Sequence, residues 1–220
     1  MSSRELIVRY VRERARLSVF VPLALVMAAI GRWTGGPVDR WTGKTAAIEF
    51  AVASLAALVF VVAFRVWDDL EDRSRDAREH PSRVTVVADS VAPLRAFALV
   101  LGTLGVLLVA LGPHRISRLA AVGIAVSVLA AWYRMRTRST RAVVNAHVVL
   151  LKYPLLAFAA SPALPPTGAL VSLYLVLCAY EIVDDPALRA SIVARWVAFS
   201  ECALVSVILA AATLFGGRIP

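Results

Sequence analysis

Residues 50–83 read FAVASLAALVFVVAFRVWDDLEDRSRDAREHPSR, fifteen uncharged residues running directly into a carboxylate-dense, arginine-laced segment. With its flanks the first part is long enough to enter a bilayer whose apolar core is about 30 Å thick, where only helices and closed barrels satisfy their own backbone. Acidic side chains at the mouth of a membrane helix are costly to keep there and usually mark a functional site. Asp68, Asp72 and Asp76 recur at i, i+4 and i+8. On a helix that spacing stacks them along one face, with Asp69 about 100° to one side. The ladder offers hard oxygen ligands. Mg²⁺ keeps several waters and takes one or two protein carboxylates beside phosphate oxygens, so such a ladder suits a diphosphate better than an all-protein cage.

The surrounding chain has the same apolar character. It holds 220 residues, 60% of them hydrophobic, with a mean hydropathy of +0.74, well above soluble domains. Seven apolar segments can be placed, at 17–31, 46–66, 94–112, 117–134, 142–160, 167–184 and 193–215. The expectation is an all-α, polytopic membrane bundle of about seven transmembrane helices, forming one domain over residues 1–220. Turn-rich breaks at Thr34-Gly35-Gly36-Pro37, Gly112-Pro113 and Ser161 through Gly168 separate the spans. Residues 1–16 read as a basic amphipathic segment on the cytoplasmic side. Arg32 and Trp33 stand where a signal peptidase would need small residues, so the first span is expected to remain uncleaved. Cys178 and Cys202 lie in apolar runs and read as packing residues rather than a disulfide.

Basic residues set the orientation. Seventeen cluster before span one and after spans two, four and six, against six on the opposite side: Arg32, Arg40, Lys44, Arg115, Arg118 and Arg218. The positive-inside rule therefore puts the N-terminus and the acidic ladder in the cytoplasm, in a membrane that is expected to be bacterial. A second acidic point falls on that same side, where CAYEIVDDPALRAS presents Glu181, Asp184 and Asp185 before Pro186, with Glu181 and Asp185 again at i and i+4. Two carboxylate clusters with arginines between them make sense if metal ions bridge them to a diphosphate, the basic groups neutralising its oxygens. The net charge of +9 is spread over span ends. It fits anionic headgroups and diphosphate, and no nucleic acid is expected as a partner. No GxxxxGK[ST], GxSxG or CxxC occurs.

These residues resemble the UbiA-type intramembrane prenyltransferases, whose first signature is a helical Asn or Asp followed by Asp four and eight residues on. Asp68 through Asp76 has that spacing, with Asp68 where the family most often has Asn. His80-Pro81-Ser82-Arg83 is similar to the family's next stretch, in which an arginine contacts phosphate. The family's second signature, Asp-x-x-x-Asp after span six, has its counterpart here in Glu181-x-x-x-Asp185 or in the pair Asp184-Asp185. Tyr133-Arg134-Met135-Arg136 and Lys152-Tyr153-Pro154 resemble the basic and tyrosine positions lining the family's pocket. The resemblance implies Mg²⁺ as cofactor, held by Asp68, Asp69, Asp72, Asp76, Glu181, Asp184 and Asp185, with Asp68, Asp72, Asp76 and Asp185 catalytic. It implies an isoprenyl diphosphate held by Arg65, Arg83, Arg134, Lys152 and Tyr153, ionised to an allylic cation and captured by a small lipophilic or aromatic acceptor. The family usually has nine spans and this chain has room for seven, which implies a shorter donor or closure of the bundle by homo-oligomerisation.

Other readings accompany this one. A terpene cyclase of the same superfamily needs no acceptor and tolerates a smaller chamber; a transporter needs a continuous polar path; an inactive scaffold subunit needs neither. Glu71 with Arg75, and Arg75 with Glu79, read equally as ordinary i,i+4 pairs. Trp67, Trp132, Tyr133, Tyr153 and Tyr174 offer faces to a carbocation or form an interfacial belt. Lys152 and His147, ionisable groups within a span, are functional suspects, whereas Glu49 and Glu201 read as helix-packing partners.

Overall fold

The structure is a computed structural model that describes residues 1–30, 43–137 and 142–215. The Thr34–Pro37 break, and Arg32, Trp33, Arg40, Arg138, Arg141 and Arg218 from the charge and cleavage readings, lie outside the described residues. Among those residues the chain is helical, without strands: α1 Ser3–Glu13, α2 Leu17–Ile30, α3 Lys44–Glu71, α4 Arg73–Glu79, α5 Val84–Val87, α6 Ala92–Ala110, α7 Arg115–Met135, α8 Ala142–Leu150, α9 Lys152–Ala160, α10 Thr167–Asp184, α11 Pro186–Ala190 and α12 Ile192–Phe215. Six stretches are long and apolar enough to cross a membrane: α3, α6, α7, the α8–α9 pair, α10 and α12. The protein is therefore a multi-pass membrane bundle. The seventh apolar segment, α2, is a shorter helix of 14 residues.

α3 is the hub. Half of its most apolar window is buried inside the protein, against 17–28% for the other five spans. Phe60, Val61 and Phe64 pack with Met27 of α2, Ala125 and Leu129 of α7, and Leu156, Ala159 and Ala160 of α9. The same Phe60 also brings α3 close to α6: a Cβ at Gly105 would sit 2.6 Å from its ring. Small residues at such contacts let helix backbones approach in a medium where lipid is as apolar as leucine.

Prolines and caps shape the acidic end. Pro154 has no N–H to donate to the Leu150 carbonyl and its ring crowds that carbonyl, and the span accordingly divides at Leu151 into α8 and α9. Pro186 disfavours helical backbone at Asp185, which is extended at φ −77°, ψ 115°. Asp185 then caps the short α11, accepting from the Leu188 N–H at 3.3 Å. At the other end, Arg118 is buried and donates to the Ala159 and Ala160 carbonyls at 2.6 and 3.4 Å, capping α9.

The N-terminal segment is seated on the bundle. Ser2 and Glu5 form a reciprocal capping box, at 3.2 Å from the Glu5 N–H and 2.8 Å to the Glu5 carboxylate. That bond keeps the exposed Glu5 carboxyl below its ordinary value. Leu6 and Tyr10 on the apolar face of α1 bury against Val62, Val66, Val84 and Leu94 of α3, α5 and α6. The 80–91 segment folds back beside them, with Glu13 accepting from the Val84 N–H at 3.2 Å and Arg73 donating to the Ala88 carbonyl at 3.1 Å.

Candidate functional site

The ladder does not sit on one unbroken helix: α3 ends at Glu71, α4 begins at Arg73, and Asp72 is the joint. The backbone bonds nevertheless carry across it, from the Asp72 N–H to Asp68 and from the Asp76 N–H to Asp72, at 2.9 and 2.8 Å. Asp68, Asp72 and Asp76 consequently face one polar cavity of about 660 Å³. Across that cavity lie Glu181 and Asp185 at the end of α10, and Lys152 and Tyr153 at the start of α9; Arg65 and Arg83 also line it. Asp184 is exposed at the end of α10, and Arg134 is exposed at the end of α7. Neither lines the cavity.

The carboxylates differ sharply in how they are held. Asp68 is buried and both its oxygens are taken, one by the Tyr133 hydroxyl and one by the Lys152 ammonium, each in a short hydrogen bond. Asp69 is 3% exposed and turned toward α1. It accepts from the Tyr10 hydroxyl at 2.8 Å and from the Arg14 fork at 2.7 and 3.0 Å, with Arg65 at 3.3 Å. Burial first, and then the negative charge of Asp69, push the Tyr10 hydroxyl well above its ordinary value, so it remains a donor. Asp72 is more open, pairing with Arg136 at 2.6 Å and Arg75 at 3.2 Å. Arg75 reaches Glu79 at 3.6 Å rather than Glu71, which accepts from the Trp67 indole at 3.0 Å.

Asp76 is the informative member. It is 1% exposed, one oxygen is held by Arg83 at 2.5 Å, and the other is buried without a hydrogen-bond partner. A buried carboxylate oxygen left unpaired costs on the order of 1–3 kcal/mol or more, which a ligand or cation arriving in the cavity would relieve. The lining carries seven carboxylates, Glu79 included, against the cationic side chains of Arg14, Arg65, Arg75, Arg83 and Lys152. Arg136, which pairs with Asp72 from beside the lining, leaves a formal excess of one negative charge, which disfavours a bare anion and favours a cation arriving with it.

The donor set is one of hard oxygens, which fits Mg²⁺. These oxygens ring the cavity instead of gathering into a cage; among the described residues the trio whose ligand atoms lie within 4.8 Å of one another is elsewhere, at His147, Cys178 and Glu201. Mg²⁺ that keeps its waters and phosphate oxygens needs no such cage.

Sequence reasoning missed several cavity residues. Arg14, Glu79 and Asn145 line it; His80, from the His80–Arg83 stretch singled out above, lines it too, and Arg136, from the Tyr133–Arg136 stretch, lies 4.5 Å over the Tyr133 ring while pairing with Asp72. Tyr10 on α1 and Arg14 at its C-cap lie four residues apart, the same i,i+4 signal that exposed the ladder, and could have been read as one face. A separate apolar groove of about 760 Å³ runs between α3, α6 and α7, lined by Phe60, Phe64, Trp67, Gly102, Val106 and Val122 among others. Trp67 stacks edge-on against Tyr133 at 5.7 Å and tilted against Phe64 at 5.8 Å. No protein-family model matches the chain, and neither a curated protein nor a solved structure is similar to it.

Proposed function

We propose that the chain is a Mg²⁺-dependent intramembrane prenyltransferase, a short UbiA-like bundle in which α2 serves as a seventh span. In this reading it ionises an isoprenyl diphosphate at the acidic end and passes the prenyl group to a small lipophilic or aromatic acceptor. The observation that carries the reading is the single cavity shared by the α3–α4 ladder, the α10 acids and Arg65, Arg83 and Lys152. The positive-inside distribution of basic residues supports a cytoplasmic placement of this cavity, with the N-terminus inside.

Asp72, Asp76, Glu181 and Asp185 would hold Mg²⁺, which supplies charge neutralisation for the departing diphosphate. Arg83 and Arg65 bind phosphate oxygens as charge moves onto them. Lys152 and Tyr133 keep Asp68 fixed, so that the floor of the cavity is already organised when substrate arrives. The apolar groove beside Trp67 takes the isoprenoid tail and excludes water from the cationic carbon. The Phe64–Trp67–Tyr133 run of rings favours a second reading, a terpene cyclase in which these faces stabilise a cation that closes on its own double bonds.

The test is diphosphate release by the purified protein from geranyl, farnesyl and geranylgeranyl diphosphates, with and without Mg²⁺, beside Asp76→Asn and Arg83→Ala, with organic extracts analysed by mass. Mg²⁺-dependent release, reduced by about 10²-fold or more in either variant, supports ionisation chemistry. A hydrocarbon or alcohol formed without acceptor selects the cyclase. No release from any donor by folded protein overturns both.

A further inference from the structure

A second constellation lies in the part of the bundle that the proposed chemistry leaves unused. His147 of α8, Cys178 of α10 and Glu201 of α12 bring their ligand atoms within 4.8 Å of one another, each from a different helix. Cys178 is fully buried and Glu201 is 6% exposed. The His147 Nδ1 lies 2.7 Å from the Val143 carbonyl. A carbonyl can only accept, so Nδ1 carries the proton and Nε2 is left to face the cluster, 2.7 Å from a Glu201 oxygen. The second Glu201 oxygen is buried without a hydrogen-bond partner. The Tyr174 hydroxyl donates to the His147 carbonyl at 3.2 Å and its ring stands edge-on to the imidazole at 6.3 Å. Outer partners of this kind fix the tautomer and ring orientation of a ligating histidine.

We propose that His147, Cys178 and Glu201 form a binding site for one Zn²⁺-class cation, separate from the polar cavity. One nitrogen, one sulfur and one oxygen donor select a borderline d-block ion, since a thiolate is a poor ligand for Mg²⁺. Binding releases two protons, the Cys178 thiol proton and the one that His147 Nε2 and Glu201 share across their 2.7 Å contact, and the thiolate and carboxylate together cancel the two charges of the metal. A neutral complex is what a low-dielectric setting tolerates, whereas three separate polar groups are costly there. Tetrahedral bonds of zinc length put ligand atoms about 3.3–3.6 Å apart, so the cluster closes by roughly 1 Å around the ion while the His147–Glu201 contact opens slightly. Three protein ligands leave a fourth position open. A groove of about 440 Å³ between α10 and α12, lined by Leu175, Val193, Trp196 and Ser200, reaches Glu201 and gives that position access.

This inference is independent of the prenyl reading, and its test uses metal ions alone. The full-length protein in detergent is stripped with chelator, loaded with Zn²⁺ or Co²⁺ and desalted, without any diphosphate. The expected results are about one Zn²⁺ per chain and a thiolate-to-Co²⁺ charge-transfer band. Cys178→Ser loses that band. Glu201→Gln keeps the band but weakens Co²⁺ binding at least about tenfold, while Asp72→Asn and Asp76→Asn leave both unchanged. Should Cys178→Ser fail to fold, alkylation decides in a Cys202→Ala background, because Cys202 is exposed. Zn²⁺ then protects Cys178 from a membrane-permeant maleimide. Zn²⁺ below stoichiometry in the wild type, Co²⁺ bound without the thiolate band, or no protection of Cys178 overturns the proposal.

Discussion

The α3 half of the bundle and the α12 flank solve the same problem differently. α3 is half buried and its acidic end is tied to α1, α7 and α9 through the two adjacent carboxylates Asp68 and Asp69. α12 is 17% buried. It is held by Ala194 and Ala198 against Ala146 and Ala179, and by the polar contact of Glu201 with His147. Because helices gain no hydrophobic advantage by leaving lipid for each other, close packing and polar cross-links decide where each one stands. The candidate site is built where such cross-links are densest. The largest effect should come from breaking the deepest of them. Asp68→Ala leaves the Lys152 ammonium, 2% exposed, without its carboxylate, and removing one partner of a buried pair costs about 3–5 kcal/mol. The variant should lose its folded, monodisperse state at markedly lower denaturant or temperature than wild type. Pairing it with Lys152→Met should recover most of the loss, and a double variant no better than the single would refute the pair as the source.

The other half of the acidic pair anchors the N-terminal helix, and its disruption should be local. Arg14→Ala removes a two-pronged, charge-assisted contact to Asp69, worth about 1.5–3 kcal/mol. α1 should come off while the bundle persists, which limited trypsin cleavage at Arg9 and Arg12 would reveal. Tyr10 adds a pH signature. Its hydroxyl is raised above the ordinary 10.0, so its donated bond contributes fully below pH 10 and is lost as pH rises toward the folded value. Trypsin is unsuited to that range, but the protection of α1 amides relative to their intrinsic base-catalysed exchange should fall above pH 10 in the wild type, and Tyr10→Phe should abolish that fall while lowering α1 protection at neutral pH.

Spans and ladder alike were legible because periodicity and apolar run length are local. The segments placed at 46–66, 94–112, 117–134, 142–160, 167–184 and 193–215 all fall on the observed helices, and Asp68, Asp72, Asp76, Glu181 and Asp185 share one cavity. What the sequence did not reveal is long-range partnership. Nothing near Asp69 announces that Tyr10 and Arg14, more than fifty residues away, will enclose it. Arg118, counted only as a loop charge, is a buried cap on α9 because the α9 carbonyls need a donor that lies 41 residues upstream. Glu201 did read as a packing partner, yet its contact with His147 depended on how α8, α10 and α12 converge.

A backbone contact separates the two regions further. Gly105→Ala should drive a methyl into the Phe60 ring and destabilise the α3–α6 contact by about 1–3 kcal/mol. Gly102→Ala and Gly123→Ala, where an added Cβ meets nothing within 4 Å, should be neutral or slightly stabilising. Thermal unfolding of the three in one detergent checks the difference, and equal behaviour would remove close approach as the basis of the hub.

The smallest stability effect is expected where the candidate site is most open. Asp72 pairs with Arg136 and Arg75, and the three side chains are 21%, 16% and 47% exposed. Solvent screens such pairs, which are worth about 0–1 kcal/mol. Asp72→Asn should therefore leave unfolding nearly unchanged, and raising salt should narrow even that gap. The same substitution sits among the residues proposed to meet the metal and diphosphate, so its effect on diphosphate release should be far larger than its effect on stability. Asp68→Ala reverses that order, failing first as a folded protein. A carboxylate that is cheap to remove from the fold and expensive to remove from turnover is free to exchange its arginines for a ligand. Measuring both quantities in both variants separates a carboxylate that builds the cavity from one that acts in it.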